Sequence, residues 1–280
     1  MRNVLIPTDF SENSWTAICY ALNFFKKEDC SFYFLYISTN INKVIKDSQN
    51  FSSQKDLKFN NPKSSKKRLQ ELLTRISGSF SENKNHKFYT LTDSNSFIVS
   101  IRKHIEEKKI ELIIMGAKGA SDSYNLNIGS NTASVIVKVP CNTLIIPKKA
   151  TFVDLKEVVF PTDFSLSYSI ETLHPLLDIL ETNDANLHML HISKKTVDLN
   201  ANQLANKELM EDYFSSQEYW FHFLINEEIE DAVQQFSGSK NNSIIVMMAK
   251  NLNYFQQTIF RTKTEKLSYH NNIPLLVLHE

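Results

Sequence analysis

Short runs of consecutive apolar residues alternate along the chain with longer stretches in which apolar residues recur every three or four positions. In the first half the apolar runs are Val4–Ile6, Phe32–Ile37, Leu112–Met115 and Leu144–Ile146. Runs this short, without alternating polar residues, are typical of strands buried on both faces of a sheet.

Helices are predicted in the stretches between these runs. They are expected at Ser14–Lys26, Lys66–Ile76, Ser96–Lys108 and Asn131–Val137. In the third of these, Phe97, Ile101 and Ile105 recur at helical spacing and therefore share one helix face. Strands that alternate with helices predict a doubly wound α/β fold with a mostly parallel sheet.

Four segments of the first half recur in the same order in the second half. The pairs are Val4–Ser11 with Val158–Ser165, Phe32–Ser38 with Leu187–Ser193, Ile113–Lys118 with Ile245–Lys250, and Val139–Ile146 with Ile273–Leu278. Such self-similarity indicates a duplication. We therefore expect two tandem domains, residues 1–149 and 150–280, each a five-stranded, mostly parallel sheet with helices on both faces.

The composition of the chain indicates the cellular compartment in which the protein is expected. The chain is 42% apolar and contains 3 cysteines among 280 residues. Their odd number and their lack of metal-ligand spacing favour a reducing compartment. Pro7 interrupts the first apolar stretch too early for a signal peptide, and no apolar run approaches the roughly eighteen residues of a membrane span. These features predict a cytoplasmic protein.

Charge is unevenly distributed, although 31 basic and 31 acidic residues balance overall. Basic residues predominate in residues 1–150, above all in segment 40–68, and acidic residues predominate in 151–280. One interpretation is a solvated basic loop, and another is attraction between the halves or toward an anion. Nucleic acid is not expected as a partner, because the basic residues are interleaved with Asn and Ser rather than with aromatic residues.

Glycine is scarce and clustered. Of only 5 glycines, Gly116, Gly119 and Gly129 lie close together, and the cluster begins where the fourth predicted strand ends at Met115. Ligands of open α/β sheets bind beyond the carboxyl ends of the strands. Glycine there permits close approach of the main chain and positive φ, which lets amide groups form an anion nest.

The helix predicted after Gly129 extends this candidate site. Its N–H groups and dipole favour a phosphate, the hydroxyls of Ser130 and Thr132 are further donors, and Lys118 adds positive charge. Neither G-x-G-x-x-G nor the P-loop pattern occurs. The sequence therefore predicts a phosphate cradle without a P-loop lysine.

The spacing G-x-x-G-(nine residues)-G-S from Gly116, with Pro-Thr-Asp ending at Asp9, resembles the universal stress protein family in its tandem two-domain form. The resemblance implies an adenine nucleotide alpha hydrolase-like fold that binds ATP. It also implies that Asp9 contacts the ribose or an associated cation, for which Mg²⁺ is the candidate, and that the main chain of Ile37 meets the adenine. The complete candidate set is Pro7, Thr8, Asp9, Ile37, Met115, Gly116, Lys118, Gly119, Gly129, Ser130, Asn131 and Thr132.

These residues also have purely structural explanations. Asp9 is explained by a turn or N-cap role, the glycines by ordinary turns and a helix start, and Lys118 by a solvated loop. In the second copy Met248, Asn251, Arg261 and Thr262 replace Gly116, Gly119, Gly129 and Ser130. We therefore expect nucleotide in the first domain and a structural role for the second, with Arg261 as a candidate to fill an anion pocket.

The resemblance makes an ATP-binding protein of stress response or regulation the leading function. A slow ATPase or phosphotransfer enzyme, with Asp9 holding Mg²⁺, is one alternative, and a nucleotide-free scaffold is another. No catalytic residue is assigned, because no base–nucleophile pair is recognisable. The resemblance further implies that the domains pair through their last strands, Leu144–Ile146 and Leu275–Leu278, as an intrachain pseudo-dimer, and a further homodimer stays open.

Two other sequence features receive structural interpretations. His188 and His191 are predicted on opposite faces of one strand, which does not suit a shared metal. The aromatic run Tyr219–Phe223 is predicted to be the third strand of the second copy, with an exposed partner surface as the alternative.

Overall fold

The computed structural model describes residues 1–38, 62–118, 128–193, 198–225, 229–240, 243–251 and 272–280. Three residues singled out above, Gly119, Arg261 and Thr262, lie outside these ranges, as does the helix expected before the last strand of the second copy. The described residues form the predicted α/β fold with a mostly parallel sheet.

Strands and helices alternate along the first half. Its strands are β1 (Arg2–Pro7), β2 (Cys30–Ile37), β3 (His86–Asp93), β4 (Leu112–Gly116) and β5 (Asn142–Ile146). Its helices are α1 (Glu12–Phe24), α2 (Pro62–Ser79), α3 (Phe97–Lys108) and α4 (Ser130–Lys138). Each helix and strand predicted for this half overlaps one of these elements.

The second half repeats this order among the residues that the structure describes. Its strands are β6 (Glu157–Pro161), β7 (Asn186–Ser193), β8 (Tyr219–Ile225), β9 (Ser243–Met248) and β10 (Leu275–Leu278). Its helices are α5 (Ile170–Asn183), α6 (Ala201–Tyr213) and α7 (Ile229–Gly238), followed by a short 3-10 helix at Ala249–Asn251.

All ten strands belong to one sheet, in the order β3-β2-β1-β4-β5-β10-β9-β6-β7-β8. Every neighbouring pair is parallel except β5 and β10, which are antiparallel. The direction of chain progression reverses between β1 and β4 and again between β6 and β9. A crevice opens beyond the carboxyl ends of the strands at such a reversal.

The antiparallel junction joins equivalent positions of the two halves. Ile114 of β4 pairs with Leu144, and its counterpart Val246 of β9 pairs with Leu276, so these two leucines are equivalent. Leu144 and Leu276 are also direct partners across β5 and β10. The two strands therefore meet about a local two-fold axis, and each supplies the other with a neighbour at what is otherwise an open sheet edge.

The hydrophobic core lies on both faces of the sheet. On one face a single cluster runs through both halves and includes Phe34 and Ala17 of the first half and Phe160 and Leu176 of the second. On the other face, one cluster forms around Ile113 in the first half. A second cluster forms around Ile245 in the second half and extends across the junction to Ile136 and Ile145. The shared face thus connects α1 and α5 through one continuous layer of buried side chains.

The histidine and aromatic predictions for the second half are confirmed. His188 contacts Trp220 and Phe236, whereas His191 stacks on Phe164, so the two histidines point to opposite faces of β7. The aromatic run forms β8 at the edge of the sheet. None of the helices in the described part of the chain is long and apolar enough to cross a membrane.

Candidate functional site

A cleft opens at the reversal between β1 and β4, beyond the carboxyl ends of β1, β2 and β4. Nine of the twelve candidate residues line it: Pro7, Thr8, Asp9, Ile37, Met115, Gly116, Lys118, Asn131 and Thr132. Its volume is about 630 Å³, which includes the open mouth. Gly129 and Ser130 begin α4 beside it, and Gly119 lies outside the described residues.

The turn after β1 holds Asp9 at the cleft. The main-chain N–H of Phe10 donates to Thr8 Oγ1 at 3.0 Å, and that of Ser11 donates to Asp9 Oδ1 at 3.0 Å. Phe10 has a φ of 63°, in the left-handed region, which is uncommon for a side chain of this size. Ser11, rather than Asp9, is the N-cap of α1.

The second half builds the same turn. Phe164 N–H donates to Thr162 Oγ1 at 3.0 Å, Ser165 N–H donates to Asp163 Oδ1 at 3.0 Å, and Phe164 has a φ of 55°. The turn role of this aspartate therefore belongs to the repeated fold and does not depend on the glycine cluster. What distinguishes Asp9 is the cleft into which it is exposed.

Gly116 is needed because α1 passes very close to it. A Cβ on this residue would lie 3.1 Å from the main-chain oxygen of Asn13 and 3.3 Å from that of Lys118. The expected positive φ is not found, since none of the described glycines has one. The requirement at Gly116 is thus steric: its lack of a side chain lets the first turn of α1 approach the end of β4.

Met248 occupies the corresponding place in the second half. Val4 pairs with Leu112 and its counterpart Val158 pairs with Ile244, which makes Met248 the equivalent of Gly116, as the repeat predicts. The Met248 side chain is buried. In the first half α1 begins directly after the turn, and its first residues lie against Gly116. In the second half α5 begins only after Ser169, so no helical backbone occupies the corresponding sequence position.

The N-terminus of α4 faces the cleft with its first turn uncapped by a side chain. Gly129 is the N-cap and makes no side-chain capping hydrogen bond. Its own N–H donates to the carbonyl of Ala117 at 2.7 Å and so ties the start of α4 to the residue that follows β4. Thr132 Oγ1 donates to the carbonyl of Gly116 at 2.9 Å, so this hydroxyl ties α4 to β4 in addition to lining the cleft. The amides that follow Gly129 are therefore the anion-attracting groups of this end.

The main chain of Ile37 also faces the cleft. Thr8 N–H donates to Leu35 O, which shows that Leu35 directs its main-chain groups toward β1. Ser38 N–H donates to Asp93 O on the opposite side. Since successive strand residues alternate between their two neighbours, Ile37 points to the same side as Leu35, where β1 has already ended at Pro7.

Four residues that the sequence did not single out complete the lining: Ser14, Leu35, Tyr36 and Phe97. Ser14 Oγ lies 3.0 Å from Thr8 Oγ1. Tyr36 packs on Phe10 with ring centroids 4.9 Å apart, and the Arg68 guanidinium lies 4.0 Å from the centre of the Phe10 ring. Adjacency to Ile37 was the available signal for Leu35 and Tyr36, whereas the position of Phe97 depends on the packing of α3.

Asp93 organises the segment that brings Phe97 to the cleft. Its carboxylate accepts hydrogen bonds from the main-chain N–H groups of Ser94 and Asn95 and from Lys103 Nζ at 3.1 Å. Burial opposes its ionisation, but these hydrogen bonds and the charge of Lys103 hold the pKa of Asp93 well below its usual range. The carboxylate thus stays charged and anchors the turn between β3 and α3.

Two of the three cysteines, Cys30 and Cys141, are buried. Burial raises the pKa of the Cys30 and Cys141 thiols to about 12, so both are protonated and poor nucleophiles at neutral pH. No group of three or more His, Cys, Asp or Glu side chains among the described residues is arranged to hold a metal ion.

Comparisons with known proteins identify the family of this chain and proteins with a similar fold. Residues 1–147 match the model of the universal stress protein family. A universal stress protein from Archaeoglobus fulgidus DSM 4304 superimposes with a TM-score of 0.68 at 19% identity, covering 98% of this chain and 97% of that one. A putative universal stress protein from Pseudomonas aeruginosa UCBPP-PA14 gives a TM-score of 0.55 at 10% identity, covering 99% of this chain and 93% of that one.

The two structural likenesses concern the fold, which they share over nearly the whole chain. No curated protein matches the sequence. The family model, in contrast, spans more than half of the chain and includes β1, β2, β4 and the start of α4, which together form the cleft. The chain therefore belongs to the universal stress protein family.

Proposed function

We propose that this protein binds ATP in the cleft of its first half and acts in the cytoplasm in stress response or its regulation. The observation that carries the proposal is the convergence of three features on one cleft: the exposed carboxylate of Asp9, the outward main chain of Ile37 and the uncapped start of α4. Family membership supports the same function.

The cleft suggests how the nucleotide lies. Leu35, Ile37, Met115 and Phe97 form an apolar wall for the adenine, and the main-chain N–H and C=O of Ile37 are a donor and an acceptor for its edge. The phosphates lie toward Gly116 and the start of α4, where amide groups and the Lys118 charge attract anions. Asp9 lies between these regions, within reach of the ribose or of Mg²⁺ that accompanies the phosphates.

We propose further that nucleotide binds to the first domain, residues 1–149, and that the second, residues 150–280, serves as its structural partner. Met248 places a buried side chain where the first half has bare backbone. Gln203 Nε2 donates to Asp163 O at 2.7 Å and Asn206 Nδ2 donates to Phe164 O at 2.8 Å, so α6 side chains occupy the repeated turn. The antiparallel β5 and β10 join the two domains as an intrachain pseudo-dimer.

Calorimetric titration with ATP and Mg²⁺ tests the proposal. The unmodified chain is expected to bind one ATP, and Gly116→Met, which copies the second half, to lower the affinity about ten-fold or more. Gly78→Met is the matched control, because nothing lies within 4 Å of a Cβ at Gly78, and it is expected to bind like the unmodified chain. Absence of ATP binding contradicts the proposal, and two ATP per chain contradicts the assignment to one domain.

A further inference from the structure

A second cavity lies between the two halves, on the sheet face that carries the continuous core. It extends across the β5–β10 junction, with a volume of about 920 Å³ including its mouth. Its floor consists of buried apolar side chains from both halves, among them Phe25, Leu112, Leu144, Ile244 and Leu276. Because the walls come from α1 and α5 as well as from both strands, the cavity exists only when the halves are paired.

The mouth of this cavity is acidic. Arg2 is placed between carboxylates: its Nε lies 3.6 Å from Glu28 Oε2 and its Nη2 lies 3.3 Å from Asp178 Oδ2. Glu111 lines the cavity on the same side and accepts a hydrogen bond from the main-chain N–H of Asn3. Two carboxylates thus flank Arg2 and a third lies at the same end of the cavity. His174, which also lines the cavity, places its Nε2 3.5 Å from Asp178 Oδ1.

The acidic groups are close enough to influence each other. Burial raises the pKa of Glu28; the charge of Arg2 opposes the rise, and the charges of Asp178 and Glu111 add to it. Because Glu28, Asp178 and Glu111 outnumber the single Arg2 guanidinium, this end of the cavity favours an additional cation.

We propose that this cavity binds an amphipathic amine, with an apolar body on the floor and one ammonium group at the acidic mouth. Apolar walls with a few convergent polar groups are typical of small-molecule sites. The aromatic rings of Phe24 and Phe25 favour a flat body. A strongly hydrated polyamine does not match the apolar floor, and an anionic amphiphile meets like charge at the mouth.

Three probes with a common body test the ligand class. Tryptamine carries an ammonium group, 3-ethylindole is neutral, and indole-3-propionate is an anion. Titration followed by protein NMR is expected to show tryptamine binding about ten-fold more tightly than indole-3-propionate, with the neutral probe between them. Equal affinity for the cation and the anion overturns the proposed class, and absence of tryptamine binding up to about 5 mM overturns the site.

Three variants locate the binding. Ile179→Phe, which fills the cavity from α5, is expected to weaken tryptamine about ten-fold or more. Glu111→Gln is expected to weaken it about two- to five-fold, whereas Glu106→Gln, exposed on α3 outside the cavity, is expected to have no effect. Gly116→Met, which blocks the other cleft, is expected to leave tryptamine binding intact. Thermal unfolding checks that both Ile179→Phe and Gly116→Met are folded. Unchanged binding in folded Ile179→Phe overturns the site, as does loss of binding in folded Gly116→Met.

Discussion

Leu144 pairs with Leu276 across the antiparallel junction, and the two leucines occupy equivalent positions in the two halves. Both leucines are buried in the cluster that runs through the two halves. The junction is therefore a point where one substitution in either half removes contacts from both. It also forms part of the floor of the second cavity.

This symmetry predicts coupled effects on stability. Leu144→Ala and Leu276→Ala are each expected to lower the free energy of unfolding by about 2–4 kcal/mol, because each leaves a cavity in the core. Since the two side chains are direct cross-strand neighbours, the double variant is expected to lose less than the sum. Urea unfolding measures all three, and Leu209→Ala, exposed on α6, is the control. If the loss in the double variant equals the sum of the two single losses, the expected energetic coupling of Leu144 and Leu276 is contradicted.

Two glycine-to-alanine substitutions are expected to change the stability of the protein in opposite directions. Gly116→Ala is expected to destabilise the protein by about 1 kcal/mol or more, because its Cβ is forced within 3.1 Å of the Asn13 main-chain oxygen. Gly78→Ala, inside α2 with open space around the new Cβ, is expected to stabilise by about 0.5–1 kcal/mol. Thermal unfolding midpoints compare the two, and an unchanged or raised midpoint for Gly116→Ala contradicts the steric reason for this glycine.

The buried carboxylate of Asp93 predicts an acid-dependent contribution to stability. Its pKa is lowered in the folded state, so its contribution is present above the ordinary Asp pKa of about 4 and is lost as the pH falls through the folded value. Asp93→Asn is expected to cost about 2 kcal/mol at pH 7 through the lost hydrogen bonds and ion pair.

Unfolding of the unmodified chain and Asp93→Asn at a series of pH values provides the measurement. The difference in stability between the two proteins is expected to shrink as the pH falls below about 4. Asp154→Asn is the control, because the Asp154–Lys26 ion pair is exposed and is expected to matter less. A difference that stays constant with pH contradicts the assigned charge of Asp93.

The buried His191 predicts a second pH dependence near neutrality. Burial lowers its pKa, although its hydrogen bond to Thr162 O opposes this. The pKa of an unfolded histidine is about 6.5, and that of His191 is lower in the folded state. Its contribution to stability is therefore fully present above about pH 6.5 and is lost as the pH falls through its pKa in the folded state. His191→Tyr, which copies Tyr36 of the first half, is expected to flatten the slope of stability against pH between about 5 and 7. An unchanged slope in urea unfolding contradicts the prediction.

Much of the candidate site could be predicted from local sequence. Pro7, Thr8 and Asp9 end a recognisable strand, and the step from Met115 to Gly116 marks the end of another, so both were placed at the carboxyl edge where the cleft is found. Phe97 and Ser14 were missed because each belongs to a helix that reaches the cleft through its packing on the sheet. The steric role of Gly116 was also unreadable, because Asn13 lies far away in sequence.

The alternation of strands and helices, the recurrence of four segments and the replacement of Gly116 by Met248 were predictable from the sequence alone, because periodicity and composition report local burial and backbone freedom. The pairing of the last strands was expected from the family resemblance, but their antiparallel register, with Leu144 opposite Leu276, is known only from the folded structure. The same holds for the acidic-mouthed cavity between the halves. These relationships depend on how distant segments pair and how closely helices approach the sheet, and such non-local packing leaves no period in the chain.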